Sequence, residues 1–210
     1  MSSSMNFKFQ ARSETMNPNP SDREKKRTID LGNGSEIIYF PRIISFGDSW
    51  KLFHYLDKEI PWTRPSIQVF GRSCIQVHEA LPGSSFNSLL LNRYKSGSDN
   101  VAWHSDYEKL YGPTPEIASL SFGCDREFLL RKKRSKSPKV QVASASCMEE
   151  PAKKRLKKNN QVDQHSLTLK HGSLLVMRGY TQRDWDHSVP KRAKIEAVRI
   201  NLTFRRVLKI

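Results

Sequence analysis

The sequence predicts a mainly β protein: an antiparallel sandwich or jelly roll with one helix packed on it. Three observations carry this. From Ser66 to Val207, short runs of β-branched and aromatic residues alternate with Gly, Pro and Asp. One segment, Phe46 to Ile60, instead repeats its bulky residues at helical spacing. A hydrophobic content of 37% over 210 residues is enough for one substantial core.

Met1 to about Arg27 is rich in Ser, Asn, Pro and charge, and reads as a disordered arm over 1–27. Residues 28–86 form a strand-and-helix extension, and 87–210 the core. Glu36–Phe40 is the first expected strand. Phe46, Trp50, Phe53, Leu56 and Ile60 then form the packing face of a helix, with Asp48 or Ser49 available as its cap and Pro61 ending it. The remaining expected strands are Ser66–Phe70, Ser88–Tyr94, Ile117–Phe122, Glu127–Arg131, Ser166–Lys170, Ser173–Met177, Trp185–Ser188 and Arg199–Val207. Residues 132–164 break the cadence. They are Lys-, Ser- and Asn-rich and read as an insert projecting from the barrel. The insert contains a basic cluster, Lys153, Lys154, Arg155, Lys157 and Lys158, of the kind that serves nuclear import or nucleic-acid contact.

The charge balance narrows the partners. The formal net charge of +15 points to a polyanion, and nucleic acid fits best. Cys74, Cys124 and Cys147 are scattered, which argues against a zinc module or disulfide framework and fits a reducing compartment. No apolar run approaches membrane-spanning length, and the first residues lack a secretory signal. A soluble intracellular monomer is expected, with no membrane partner.

Two motifs carry chemistry. His104 and Asp106 are one residue apart, so on a strand they would share a face. His187, on a neighbouring strand, would complete two imidazoles and one carboxylate, the facial triad that holds non-haem Fe(II). The other histidines, His54, His78, His165 and His171, read as structural. Arg199, Asn201, Thr203 and Arg205 share one face of a strand whose other face is Ile200, Leu202 and Phe204. An ordinary surface strand would leave those arginines in water. A barrel strand packed on helices would turn them into a polar cavity. Asn92 and Tyr94 repeat the pattern beside Leu90. Two arginines facing one way suit a dicarboxylate, and iron beside a dicarboxylate suggests oxygen activation driven by 2-oxoglutarate. The same triad also suits zinc in a hydrolase, but a zinc-bound water needs no dicarboxylate site.

Asn92-x-Tyr94, His104-x-Asp106, His187 and Arg199-x-Asn201-x-Thr203-x-Arg205, in that order and spacing, resemble the signature of the AlkB family of Fe(II)/2-oxoglutarate dioxygenases. The likeness runs from about Asn87 to Val207, apart from the insert, and includes Pro115–Gly123 and His171–Leu175. Val69-Phe70-Gly71 resembles the finger of the nuclear branch that repairs alkylated duplex DNA, while some central text resembles the sister branch acting on single strands.

The resemblance implies a double-stranded β-helix. It implies Fe(II) on His104, Asp106 and His187, and 2-oxoglutarate on Arg199 and Arg205 with Asn92, Tyr94, Asn201 and Thr203. O2 is the second cosubstrate. The implied activity is oxidative demethylation of 1-methyladenine and 3-methylcytosine in DNA, releasing succinate, CO2 and formaldehyde. The alternatives are an RNA substrate or a lid-deleted, weakly active or inactive nucleic-acid-binding form. Phe70 would fill the gap left by a flipped base, and Glu108 would contact that base. Arg72, Lys191, Arg192 and Lys194 would hold phosphates. The nucleus is the expected compartment, with the cytoplasm second.

This chain departs from the family in two places. Tyr107 stands where a second acid often follows the metal aspartate, and the base-gripping stretch at 71–86 is short. The metal site is expected to assemble, with activity on DNA weakened or lost.

Overall fold

Alternation along the strands divides the apolar residues between two cores, and that division sets which side chains face the site. The computed structural model describes residues 25–62, 68–69, 81, 83–134 and 163–208. In chain order its elements are β1 (Arg27–Gly32), β2 (Ser35–Phe40), α1 (Phe46–Glu59), β3 (Gln68–Val69), β4 (Ser88–Tyr94) and β5 (Val101–His104). A 3₁₀ turn (Lys109–Tyr111), β6 (Ile117–Gly123), β7 (Arg126–Lys132), β8 (Gln164–Leu169) and β9 (Ser173–Gly179) follow. The one-turn helix α2 (Thr181–Asp184), β10 (Trp185–Val189) and β11 (Arg199–Arg205) complete the series.

The strands form two antiparallel sheets, β1-β2-β9-β6-β11-β4-β3 and β5-β10-β7-β8. This is the expected mainly β, jelly-roll architecture. In the larger sheet each strand splits its residues between the faces. Ile38, Leu120, Phe122, Leu174, Val176, Ile200, Leu202 and Phe204 join Phe53 and Leu56 of α1 in an outer core. Ile37, Tyr39, Ile117, Leu175 and Met177 face the smaller sheet, where Phe128, Leu130, Leu167 and Trp185 meet them. Because α1 covers the outer face, the inner face of β11 is free to carry polar groups.

Several expectations need correction. The cap of α1 is Ser45, whose Oγ accepts the Asp48 amide at 3.1 Å, and neither Asp48 nor Ser49 fills that role. Phe46 is 62% exposed and does not belong to the packing face. The first strand is β1, which pairs with β2 across a tight Asn33-Gly34 turn with both residues at positive φ. The Asn-Gly pair is the hairpin signal that marks it. β5, the 3₁₀ turn and α2 are also additions. The expected strand at Ser66–Phe70 is described only at Gln68–Val69. Residues 1–24, the basic cluster, and Cys74, Cys147 and His78 lie outside the described residues.

His171 is structural, as expected. Its ring stacks on Trp50 with centroids 4.1 Å apart, and its Nδ1 accepts the Gly123 amide at 2.8 Å. Burial, together with the positive charge of Arg42, lowers its pKa from 6.5, and Asp125 opposes this. Protonation would set an N–H against the Gly123 N–H. As pH falls, the unfolded chain therefore takes up this proton before the folded one does. The contribution of His171 to stability is complete above about pH 6.5 and is lost below it. Melting temperature is expected to fall between about pH 7 and pH 5, and His171→Gln to make that fall shallower. Scanning calorimetry across this range checks it.

Candidate metal and cosubstrate site

Sheet register brings the two candidate histidine ligands together. His104 of β5 pairs directly with His187 of β10, and their ring centroids are 4.2 Å apart. The Nδ1 of His104 lies 2.8 Å from the Ala102 carbonyl oxygen, which can only accept. Nδ1 therefore carries the proton, leaving Nε2 with a free lone pair. His187 is buried and stacks on Phe128. Burial, reinforced by the nearby His104, pushes its pKa down to about 4. At neutral pH the His187 ring therefore presents a neutral donor nitrogen.

Asp106 reaches the same point by a different route. β5 stops at His104, so strand alternation does not extend to Asp106, which sits in the loop that follows. Its Oδ1 accepts from Nη2 of Arg205 at 3.1 Å, while its Oδ2 lies 4.0 Å from Nε2 of His187. Ligand atoms of His104, Asp106 and His187 all lie within 4.8 Å of one another. Two imidazoles and a carboxylate on one side of a site fit an Fe(II) ion that keeps open positions.

Facing the triad across a cavity of about 200 Å³ is the inner side of β11. Arg199 is 1% exposed. Its Nη2 donates to Oγ of Ser121 and Oδ1 of Asn201, both at 2.9 Å, and its guanidinium lies over the Tyr94 ring. Burial lowers its pKa. Its Nε and Nη1 have no hydrogen-bond partner among the described residues, and none of its described partners is a carboxylate. Asn201 accepts from Ser119 at 2.7 Å and donates to Thr203 at 2.7 Å, so the polar face is a linked ladder. Leu90, Val101, Phe128, Leu169, Met177 and Val189 supply an apolar wall. Orphaned guanidinium nitrogens lining the cavity suit the carboxylates of 2-oxoglutarate.

All nine residues expected to bind metal or cosubstrate line this one cavity. Sequence reasoning missed the contributions of Ser119 and Ser121. Their signal was the small polar alternation in Ala118-Ser119-Leu120-Ser121-Phe122. It also missed Gln182, which holds the Asp106 amide. The expected nucleic-acid contacts are more dispersed. Phe70 and Arg72 lie outside the described residues, and Glu108 is exposed two residues after Asp106. Lys191, Arg192 and Lys194 are exposed in the segment after β10, with Arg192 paired to Glu127.

Residues 63–205 match the 2OG-Fe(II) oxygenase superfamily. The chain is 54% identical to the DNA oxidative demethylase ALKBH2 of Arabidopsis thaliana, an alignment covering 91% of this chain and 72% of that one.

The chain belongs to the AlkB family of 2OG-Fe(II) oxygenases.

It is also 40% identical to human DNA oxidative demethylase ALKBH2 over 69% of this chain and 48% of that one. With human alkB homolog 3, an alpha-ketoglutarate-dependent dioxygenase, identity is 42% over 60% and 38%. The chain thus spans less than half the length of these two human relatives. As a member of the superfamily it is a dioxygenase that uses Fe(II), 2-oxoglutarate and O2, and the zinc-hydrolase alternative falls away. The Arabidopsis alignment runs over 230 positions but takes in only 91% of a 210-residue chain, so this chain is shorter than that relative within the aligned span.

Arg199→Lys keeps the charge but cannot reproduce the guanidinium's planar set of donors. Loss of about 2 kcal/mol, roughly thirtyfold in 2-oxoglutarate affinity, is expected. Calorimetric titration in the presence of Mn(II) and the absence of oxygen measures it.

Proposed function

We propose that this chain oxidatively demethylates N-alkylated bases in DNA, with 1-methyladenine and 3-methylcytosine as substrates. The observation that carries the reading is the pair of inward arginines facing the His104–Asp106–His187 cluster across one cavity. Its likeness to the Arabidopsis DNA oxidative demethylase supplies the substrate class.

In this reading His104, Asp106 and His187 hold the iron. Arg199 and Arg205 grip the carboxylates of 2-oxoglutarate and fix which end faces the triad, and Asn92, Tyr94, Asn201 and Thr203 complete the cradle. When bound, iron with 2-oxoglutarate and O2 supplies the oxidising power that hydroxylates an N-methyl group, with succinate and CO2 as co-products. The hydroxymethyl product then releases formaldehyde and leaves the repaired base. The wall of Leu90, Val101, Phe128 and Val189 keeps bulk water from the reacting centre. Arg205 has a second task, since its contact with Oδ1 of Asp106 leaves Oδ2 facing the histidines.

The DNA grip is the weaker half of the machinery. The chain's net charge of +15 supplies sequence-independent attraction to a phosphate backbone. Lys191, Arg192, Lys194 and Arg72 are assigned to phosphates, Phe70 to the vacated base step and Glu108 to the flipped base. The short stretch at 71–86, together with the net shortening against the Arabidopsis relative, supports a second reading in which the site assembles but base capture is poor. The protein is assigned to the nucleus through the basic cluster at Lys153–Lys158.

Incubation with Fe(II), 2-oxoglutarate and O2 tests the proposal, using oligonucleotides that carry 1-methyladenine in single- and double-stranded form. Formaldehyde and unmodified adenine should appear, at least about tenfold more slowly than with the Arabidopsis relative, or ~1.4 kcal/mol in barrier. His104→Ala should abolish turnover. Equal repair by that variant would remove His104 from the metal site. Salt-sensitive DNA binding with no formaldehyde, alongside succinate release, would favour the second reading.

A further inference from the structure

Of the three metal-facing residues, Asp106 alone lies outside the strands. His104 and His187 are paired within the smaller sheet, whereas residues 105–108 are irregular. An amide in such a loop has no ladder partner, and the carboxylate it carries would drift with it. The Asp106 N–H instead donates to Oε1 of Gln182 at 2.9 Å.

Gln182 is held on every side. It is fully buried, at 0% exposure. Its Nε2 donates to Sδ of Met177 at 3.1 Å, in the wall of the cavity. Its carbonyl oxygen accepts from Nζ of Lys133 at 2.9 Å, and the same ammonium donates to Oγ of Ser105 at 2.6 Å. Two successive residues of the ligand loop are therefore tied to one turn of helix. That turn is itself anchored to the first hairpin. Oγ1 of Thr181 accepts the Glu36 amide at 3.1 Å, and the Tyr180 amide donates to the Gly34 carbonyl at 3.2 Å. At Gly179 a Cβ would lie 1.9 Å from that same carbonyl oxygen, so the close approach admits only glycine.

We propose that Gln182 is a positioning residue of the iron centre, clamping the Asp106 main chain while Arg205 clamps its carboxylate. The proposal rests on reading the triad as the iron site. With both ends fixed, the carboxylate is preorganised, and little conformational freedom remains to be lost when metal binds. A glutamine that merely filled the core would affect melting temperature and leave metal affinity unchanged.

Mn(II) titration followed by electron paramagnetic resonance, without 2-oxoglutarate or oxygen, separates these roles. Gln182→Met keeps the length and burial but removes the acceptor, and should weaken Mn(II) binding roughly ten- to a hundredfold. Gln182→Glu restores an acceptor oxygen at the same reach, and should bind within about threefold of the parent chain. Unchanged Mn(II) affinity in a folded Gln182→Met would overturn the proposal, as would equal weakening in both variants. If Gln182→Met does not fold, hydrogen exchange at the Asp106 amide of the parent chain decides together with Gln182→Glu. Slow exchange supports the clamp, and exchange at the rate of an open loop refutes it. A parent chain that takes up no Mn(II) would overturn the iron reading itself. Tight binding by the parent with weak binding by Gln182→Met would uphold both.

Discussion

A guanidinium group buried between two sheets, with no carboxylate among its described partners, is the constraint on which the site depends. Removing an ion from water costs several kcal/mol even after relaxation, unless hydrogen bonds and opposite charge offset it. Arg199 meets part of that need through Ser121, Asn201 and the face of Tyr94. Its Nε and Nη1 are left over. A dianionic cosubstrate completes the set, which makes Arg199 at once a stability cost in the free protein and a source of affinity. The outer core is what allows this. Ile200, Leu202 and Phe204 are buried in the outer core that α1 also joins, so β11 satisfies its hydrophobic requirement on the face away from the site.

The metal side obeys a different logic. His104 and His187 are fixed by sheet register, the most rigid device available to the fold. Asp106 comes from a loop, so one ligand is positioned by side-chain contacts with Gln182 and Arg205. The site thus combines two ligands set by backbone pairing with one set by a polar network. Arg205 belongs to both halves, since it touches Asp106 and lines the cosubstrate cavity.

Much of this was legible in the sequence, because period-2 alternation is a local property. Arg199 to Arg205 alternate so cleanly that the choice between water and cavity turned only on what covered the apolar face. The same alternation marked Ser88–Tyr94 to the residue. What stayed hidden depends on contacts between distant segments. Nothing near Gln182 in the chain marks it as the partner of an amide 76 positions away. Alternation puts Asp106 on the face of His104 only if the strand continues, whereas β5 ends at His104. Ser45 displaced Asp48 as the helix cap because the chain turns into α1 one residue before the aromatic stripe begins. The charged residues of β1 resemble the arm before it, and only the Asn33-Gly34 turn announces its hairpin.

The central claim is that the inner face of β11 binds a dicarboxylate opposite the triad. A crystal structure of the protein with Mn(II) and 2-oxoglutarate, grown without oxygen, tests it most directly. The account predicts a carboxylate oxygen within about 3.2 Å of Nε or Nη1 of Arg199, with the metal on His104, Asp106 and His187. A dicarboxylate bound away from β11, or a metal held by other side chains while those nitrogens keep no anionic partner, would contradict it.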